Sequence, residues 1–293
     1  MKALALLLTL SILWGSSFLW MKQLLLYFDA YTLVFLRCTF GWLALFPFWF
    51  LSKEKTKFRI TLPFILTLSL GAAIPWTFVS VALTSLDTGV VGILNAATPV
   101  IGIILVMWLL KEKPRKQQLV GVLVGFTAVS VLLLLSGQAE NTQFSLPHAL
   151  LMLLATTCYA MNSIFVKKLF PAITAIQLGL WTLGIAAVFN GIISFIKQPS
   201  AILQLNEVSI LIPLIILGCF SSGLGYLLFY HLVISASPIF ALLTTFIIPF
   251  ITLILGIGIL DEPFHLGIKI GLPLMIISLI IMSARIPLKE NKK

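Results

Sequence analysis

Runs of roughly 18 to 25 almost wholly apolar residues, separated by short polar connections, recur from one end of this chain to the other. A helix needs about 20 such residues to cross a bilayer. The hydrocarbon offers the backbone no hydrogen-bond partner, so only a helix or a closed barrel satisfies its own polar groups there. Strands of a membrane barrel would read as alternating segments of about ten residues, and these runs do not alternate. Of 293 residues, 60% are apolar and 10% charged, and the mean hydropathy is +1.13. A soluble domain carries about 25% charged residues. The fold class is therefore an all-α integral membrane protein, with ten spans near residues 3–22, 30–51, 61–84, 88–110, 118–136, 147–168, 174–196, 209–232, 238–260 and 265–285.

Net charge is +10, which in a soluble protein would suggest nucleic acid. Here the basic residues fall in connections and at the C-terminus, so a lipid surface is the partner and no nucleic acid is expected. With the N-terminus in the cytoplasm, cytoplasmic segments hold 15 of the 19 Lys and Arg: Lys2, Lys53, Lys55, Lys57, Arg59, Lys111, Lys113, Arg115, Lys116, Lys167, Lys168, Arg285, Lys289, Lys292 and Lys293. Outer segments hold Lys22, Lys197 and Lys269, and Arg37 lies inside span two. The positive-inside rule then predicts a multi-pass protein of the cell (inner or plasma) membrane with both termini cytoplasmic, which requires an even number of spans. The Met1-Lys2 start resembles a signal peptide. The segment continues apolar to Met21, which favours an uncleaved first span. Cys38, Cys158 and Cys219 sit in apolar runs and read as packing residues without a disulfide.

Three echoes divide the chain. Trp14-Gly15-Ser16-Ser17 with Lys22 corresponds to Tyr159-Ala160-Met161-Asn162 with Lys167 at an offset of 145. Pro99 precedes Glu112 by 13 residues, as Pro249 precedes Glu262, at an offset of 150. Gly121-x-x-x-Gly125 recurs as Gly267-x-x-x-Gly271 at 146. The sequence thus predicts a first five-span repeat over 1–137, a second over 146–286 and a basic cytoplasmic tail over 287–293. Five is odd, so the second copy enters the membrane from the other side. Lys111-Glu112-Lys113-Pro114 is basic, whereas Asp261-Glu262-Pro263 is acidic, in agreement. Inverted repeats of this kind build secondary transporters, with the solute site near the midplane between the halves.

The Trp-Gly-Ser-Ser of span one, Phe35-Leu36-Arg37 of span two, Asn95-Ala96-Ala97-Thr98-Pro99 running to Glu112, and their counterparts in the second half resemble the drug/metabolite transporter superfamily, EamA type. The resemblance covers the whole chain. It implies a ten-helix inverted-repeat carrier of small metabolites, often an exporter of amino acids and related compounds, and leaves the cargo open.

Candidate site residues are the polar and aromatic side chains at mid-span depth. Pro99 and Pro249 lie mid-span, and each removes a donor from the carbonyl four residues earlier, Asn95 and Thr245, which then faces protein, water or solute. With Pro75 they are candidate hinges or kinks. Trp14, Ser16, Ser17, Tyr159, Asn162 and Ser163 in spans one and six, Trp76, Ser80, Tyr226 and Tyr230 in spans three and eight, and Asn95, Thr98 and Thr245 in spans four and nine are candidates for a central cavity. Each has a competing reading as helix-packing glue. Arg37 is costly in a span. It, Glu112 and Glu262 are candidate gating or structural charges, and Arg37 can also be read as a ligand for a solute carboxylate. Its counterpart at offset 145 is Thr182.

None of the nine carboxylates and three histidines is at mid-span, so no buried proton relay is expected. No hydrolase, zinc-protease or phosphate-loop motif occurs, and nothing reads as a selectivity filter. A membrane-embedded enzyme or a channel acting on a small amphipathic molecule remains the alternative. No catalytic residue, cofactor or metal is expected. The partners are a small-molecule substrate and the bilayer, and the paired Gly-x-x-x-Gly motifs would pack each half or join a homodimer, leaving monomer or homodimer open.

Overall fold

A computed structural model describes residues 2–52, 56, 58–109, 111, 116–136, 144–200, 205, 207–236 and 238–283. Spans one and two are single helices, α1 (Lys2–Leu24) and α2 (Ala30–Leu51). Span three is two pieces, α3 (Leu62–Ser69) and α4 (Ala73–Leu83), and so is span four, α5 (Thr88–Asn95) and α6 (Thr98–Leu109). Span five is α7 (Lys116–Ser136), span six α8 (Leu146–Leu169) and span seven α9 (Ala175–Lys197). Span eight runs through α10 (Val208–Ile215), a π-helical stretch (Ile216–Leu224) and α11 (Gly225–Ser235). Span nine is α12 (Pro238–Leu242), a 3-10 turn (Leu243–Phe246) and α13 (Ile248–Ile259), and span ten is α14 (Leu266–Ser283). Among the described residues, nine stretches are long and apolar enough to cross a membrane, and α14 adds a shorter apolar helix. Leu4, Ile12, Phe48, Trp108, Ile196 and Ile254 are exposed on the outside of the bundle, the surface a lipid phase would cover.

The duplication is visible in the helix starts. Asp29 opens α2, its carboxylate accepting from the Tyr31 and Thr32 amides at 2.8 and 3.1 Å. Thr174, 145 residues on, opens α9 in a reciprocal cap with Gln177. Each start is also held by the segment that follows the other helix. Gln198 Oε1 accepts from the Asp29 amide at 3.1 Å, and Gln177 Nε2 donates to the Thr56 carbonyl at 2.9 Å.

Corresponding spans run antiparallel, as an inverted repeat demands. Along α2 and α9, Thr32 meets Ser194 at 2.7 Å, Phe35 meets Gly191, Trp42 meets Gly184 and Leu45 meets Gly179. Along α7 and α14, Ser278 Oγ donates to the Gly121 carbonyl at 2.6 Å while Ser136 lies against Gly267. The two Gly-x-x-x-Gly motifs therefore belong to one seam between the halves, which corrects the expectation of packing within each half. Gly125 approaches Ser278 of the other half as closely as Val100 of its own. α5 and α13 form the third such pair, through Gly89 with Leu253 and Gly92 with Thr252.

The interruptions are paired as well. Spans three and eight leave regular α-helix at residues 70–72 and 216–224, and spans four and nine at 96–97 and 243–247. Pro75, Pro99 and Pro249 each lie in the first turn of the helix that restarts. A missing amide proton has no intrahelical partner to lose there. The sequence reading of Pro99 as a mid-helix kink thus becomes a helix restart, and the freed Asn95 carbonyl accepts from the Thr98 hydroxyl at 2.6 Å.

Candidate functional site

Where the interrupted spans meet α1, α2 and α8, they line a central cavity of about 40 Å³. A water needs about 10–15 Å³ on such a measure, so this is room for a few waters and too little for an organic solute. Trp14, Ser17, Phe18 and Met21 line it from α1, Arg37 from α2, Tyr159 and Asn162 from α8. Gly71, Trp76, Val79, Asn95 and Thr98 contribute from spans three and four, and Tyr226, Phe229, Leu242, Thr245 and Ile248 from spans eight and nine.

The aromatic wall is built from both halves. Trp14 packs edge-on to Tyr226 and tilted against Phe229, with ring centroids 5.9 and 5.2 Å apart, and Trp76 lies 5.1 Å from Tyr226. The Trp14 indole N–H donates at 3.0 Å to the carbonyl of Ser221 inside the π-helical stretch. The Tyr226 hydroxyl donates to the carbonyl of Gly71 at the break in span three. Asn162 Nδ2 donates to the Thr67 carbonyl at 2.8 Å, and its Oδ1 accepts from Tyr230 at 3.2 Å. Tyr230 also meets Thr182 at 2.8 Å.

Arg37 is 2% exposed. Its guanidinium lies 3.6 Å from the Trp76 ring centroid, Nε donates to Ser222 Oγ at 3.1 Å, and Nη1 contacts Met21 Sδ at 2.9 Å. Close backbone approach sets this geometry. A Cβ on Gly41 would fall 2.9 Å from the Gly218 carbonyl oxygen and 3.0 Å from the Gly223 nitrogen, and one on Gly218 would fall 2.4 Å from Phe40 Cβ. Gly218 and Gly223 are five residues apart, so they stack on one face only because the helix is locally widened. Ser222 Oγ donates to the Leu217 carbonyl five residues back.

Of the residues singled out from sequence, Trp14, Ser17, Trp76, Asn95, Thr98, Tyr159, Asn162, Tyr226 and Thr245 reach the cavity. Ser16 and Ser163 instead bond back to the carbonyls of Leu13 and Ala160. Ser80 is buried away from it, without a hydrogen-bond partner among the described residues. Tyr230 stands one layer behind, braced by Asn162 and Thr182.

Glu262 lies away from the cavity, where its carboxylate accepts from the Thr88 amide and hydroxyl at 2.8 and 2.7 Å and from the Gly89 amide at 3.2 Å. It thereby caps α5 of the other half, a favourable place for a negative charge. Glu112, its counterpart, lies outside the described residues. Lys22 and Lys167 repeat one device: Lys22 Nζ donates to the Leu83 and Leu86 carbonyls at the end of span three, and Lys167 Nζ to the Ile234 carbonyl at the end of span eight. Among the described residues no group of three His, Cys, Asp or Glu side chains is placed to hold a metal ion.

The EamA-like transporter family matches residues 1–134 and 146–284, one match for each half of the bundle. The chain belongs to that family. A Bacillus subtilis (strain 168) protein named as the uncharacterized transporter YvbV is 24% identical over 278 residues, which cover 94% of this chain and 90% of that one. An uncharacterized transporter of Archaeoglobus fulgidus is 23% identical over 271 residues, 92% and 94% of the two chains. A solved crystal structure at 16% identity superposes with a TM-score of 0.69 over 96% of both chains, a likeness of fold. In this EamA-like transporter, sequence reasoning missed seven of the residues that line the central cavity: Phe18, Met21, Gly71, Val79, Phe229, Leu242 and Ile248. Most are apolar, and apolar side chains carry no depth or facing signal in a span that is apolar throughout. The one readable signal was the Gly218-Cys219-Phe220-Ser221-Ser222-Gly223 cluster, where small and hydroxyl residues interrupt span eight.

Proposed function

We propose that this EamA-like transporter is a secondary carrier that moves small organic metabolites, amino acids or related compounds, outward across the cell membrane by alternating access. Both termini would lie on the cytoplasmic side. The observation that carries this reading is the central cavity, walled by interrupted helices from two oppositely directed halves. Broken helices at a repeat interface are where secondary transporters bind their solutes. The cavity offers only a few waters' volume, so admitting an organic solute requires the halves to move apart. The seams between corresponding spans, α2 with α9 and α7 with α14, are the natural bearings for that rocking. Glu262 on Thr88 and Gly89 is a contact between the halves at one end of the bundle, and opening at that end would break it.

Counterflow in proteoliposomes tests the reading. Vesicles loaded with unlabelled solute and diluted into labelled solute should take it up transiently above equilibrium, and exchange should run faster than net flux. A channel or an enzyme gives no such overshoot, and its absence across a broad panel of amino acids and related metabolites would overturn the proposal.

A further inference from the structure

The geometry points to a more specific statement, which rests on the carrier reading: the solute bears a carboxylate, and Arg37 is the residue that binds it. Arg37 is buried in the wall of the central cavity. A guanidinium offers five N–H donors in a planar fork. Only two atoms of this one have acceptors among the described residues, Ser222 Oγ on Nε and the weakly accepting Met21 sulfur on Nη1. No carboxylate among the described residues pairs with it, and none lines the cavity. A charge so far from water is costly unless paired, and the missing counter-ion is what a solute would bring.

Stacking on Trp76 at 3.6 Å holds the plane of the guanidinium and leaves an edge for a bidentate carboxylate. Trp14 and Phe229 add apolar surface to the same wall, which suits an aromatic or aliphatic body. The duplicated scaffold argues against a purely architectural role. At the corresponding place in the second half, Thr182 packs its methyl group beside Gly71 of span three, bonds to Tyr230 of its own half, and brings no charge to the seam.

The test uses full-length protein in detergent and four probes: 3-phenylpropionate, 3-phenylpropionamide, L-phenylalanine and L-phenylalaninamide. Binding is read by quenching of tryptophan fluorescence, to which Trp14 and Trp76 contribute from the cavity wall. The acids should bind at least tenfold more tightly than their amides. R37M should bring that ratio below twofold while eluting as folded protein. If R37M does not fold, R37K decides, because it keeps the charge and loses the fork: it should weaken the acids about tenfold and leave the amides unchanged. Acid and amide binding alike or not at all to the wild type, an undiminished ratio in folded R37M, or unchanged acid affinity in R37K would each overturn the proposal. Counterflow keeps the two readings apart, since exchange-stimulated uptake of any solute upholds the carrier even where acid and amide behave alike.

Discussion

Two seams of this bundle occupy equivalent places in the duplicated scaffold and are built differently. Span two meets span eight through backbone: Gly41 lies between Gly218 and Gly223, and a buried Arg37 reaches Ser222 across the join. Span seven meets span three through side chains. Ala186 stands where span two has Gly41, Thr182 stands where it has Arg37, and Asn190 bonds to the Ala73 carbonyl at 3.2 Å and accepts from Thr77 at 2.7 Å. The second seam satisfies its polar groups internally. The first leaves a charge facing the cavity. The same architecture thus serves as a closed joint on one side and brings a buried charge to the cavity wall on the other.

That contrast can be broken at several points. The largest effect is expected from G218A, whose new Cβ would lie 2.4 Å from Phe40 Cβ and 3.2 Å from the Arg37 carbonyl. Overpacking of this kind costs about 1–3 kcal/mol, so thermal scanning in detergent should show a clear fall in melting temperature and counterflow should be lost. A186G, at the place in the other seam that corresponds to Gly41, should cost no more than about 1 kcal/mol and leave counterflow intact. Should the two variants lose stability equally, the seams are not different in kind.

A smaller effect separates the two asparagines of the cavity. Asn162 bonds to Thr67 and Tyr230, and membrane-buried hydrogen bonds are worth about 0.6–2 kcal/mol each. N162A should lower both melting temperature and transport rate. The Asn95 side chain has no hydrogen-bond partner among the described residues, only its carbonyl being engaged by Thr98. N95A should lower transport while shifting melting by less than half as much as N162A. Equal thermal losses would show that Asn95 is a packing residue. The smallest effect belongs to T182V, which removes one of two partners of Tyr230 and should cost about 0.6 kcal/mol with transport unchanged. A large loss of transport in T182V would mean that the second seam also shapes the site.

The spans and their duplication were legible because crossing hydrocarbon demands long apolar runs, and a copied half repeats its polar punctuation. Asp29 and Thr174, Lys22 and Lys167 recur at one offset and do the same job twice. The interruptions were legible in spans four and nine through Pro99 and Pro249, although as restarts rather than kinks. In span eight Pro213 stands three residues before the widened stretch, and no proline lies within it. What could not be read was which way a mid-span residue faces. Tyr230 and Ser163 lie near the depth of cavity residues but look into the packing, since in a span surrounded by protein a polar residue finds partners on any side. Phe18 and Met21 face the cavity with nothing in their chemistry to announce it.

The central claim is that the midplane cavity opens alternately to the two sides of the membrane. In protein with Cys38, Cys158 and Cys219 replaced by alanine, a cysteine introduced at Asn95 can be challenged with a membrane-impermeant thiol reagent in right-side-out and in inverted vesicles. The account predicts labelling from either side, with solute present on one side slowing it. Labelling from one side alone under every condition, or a rate from both sides that solute never alters, would contradict it.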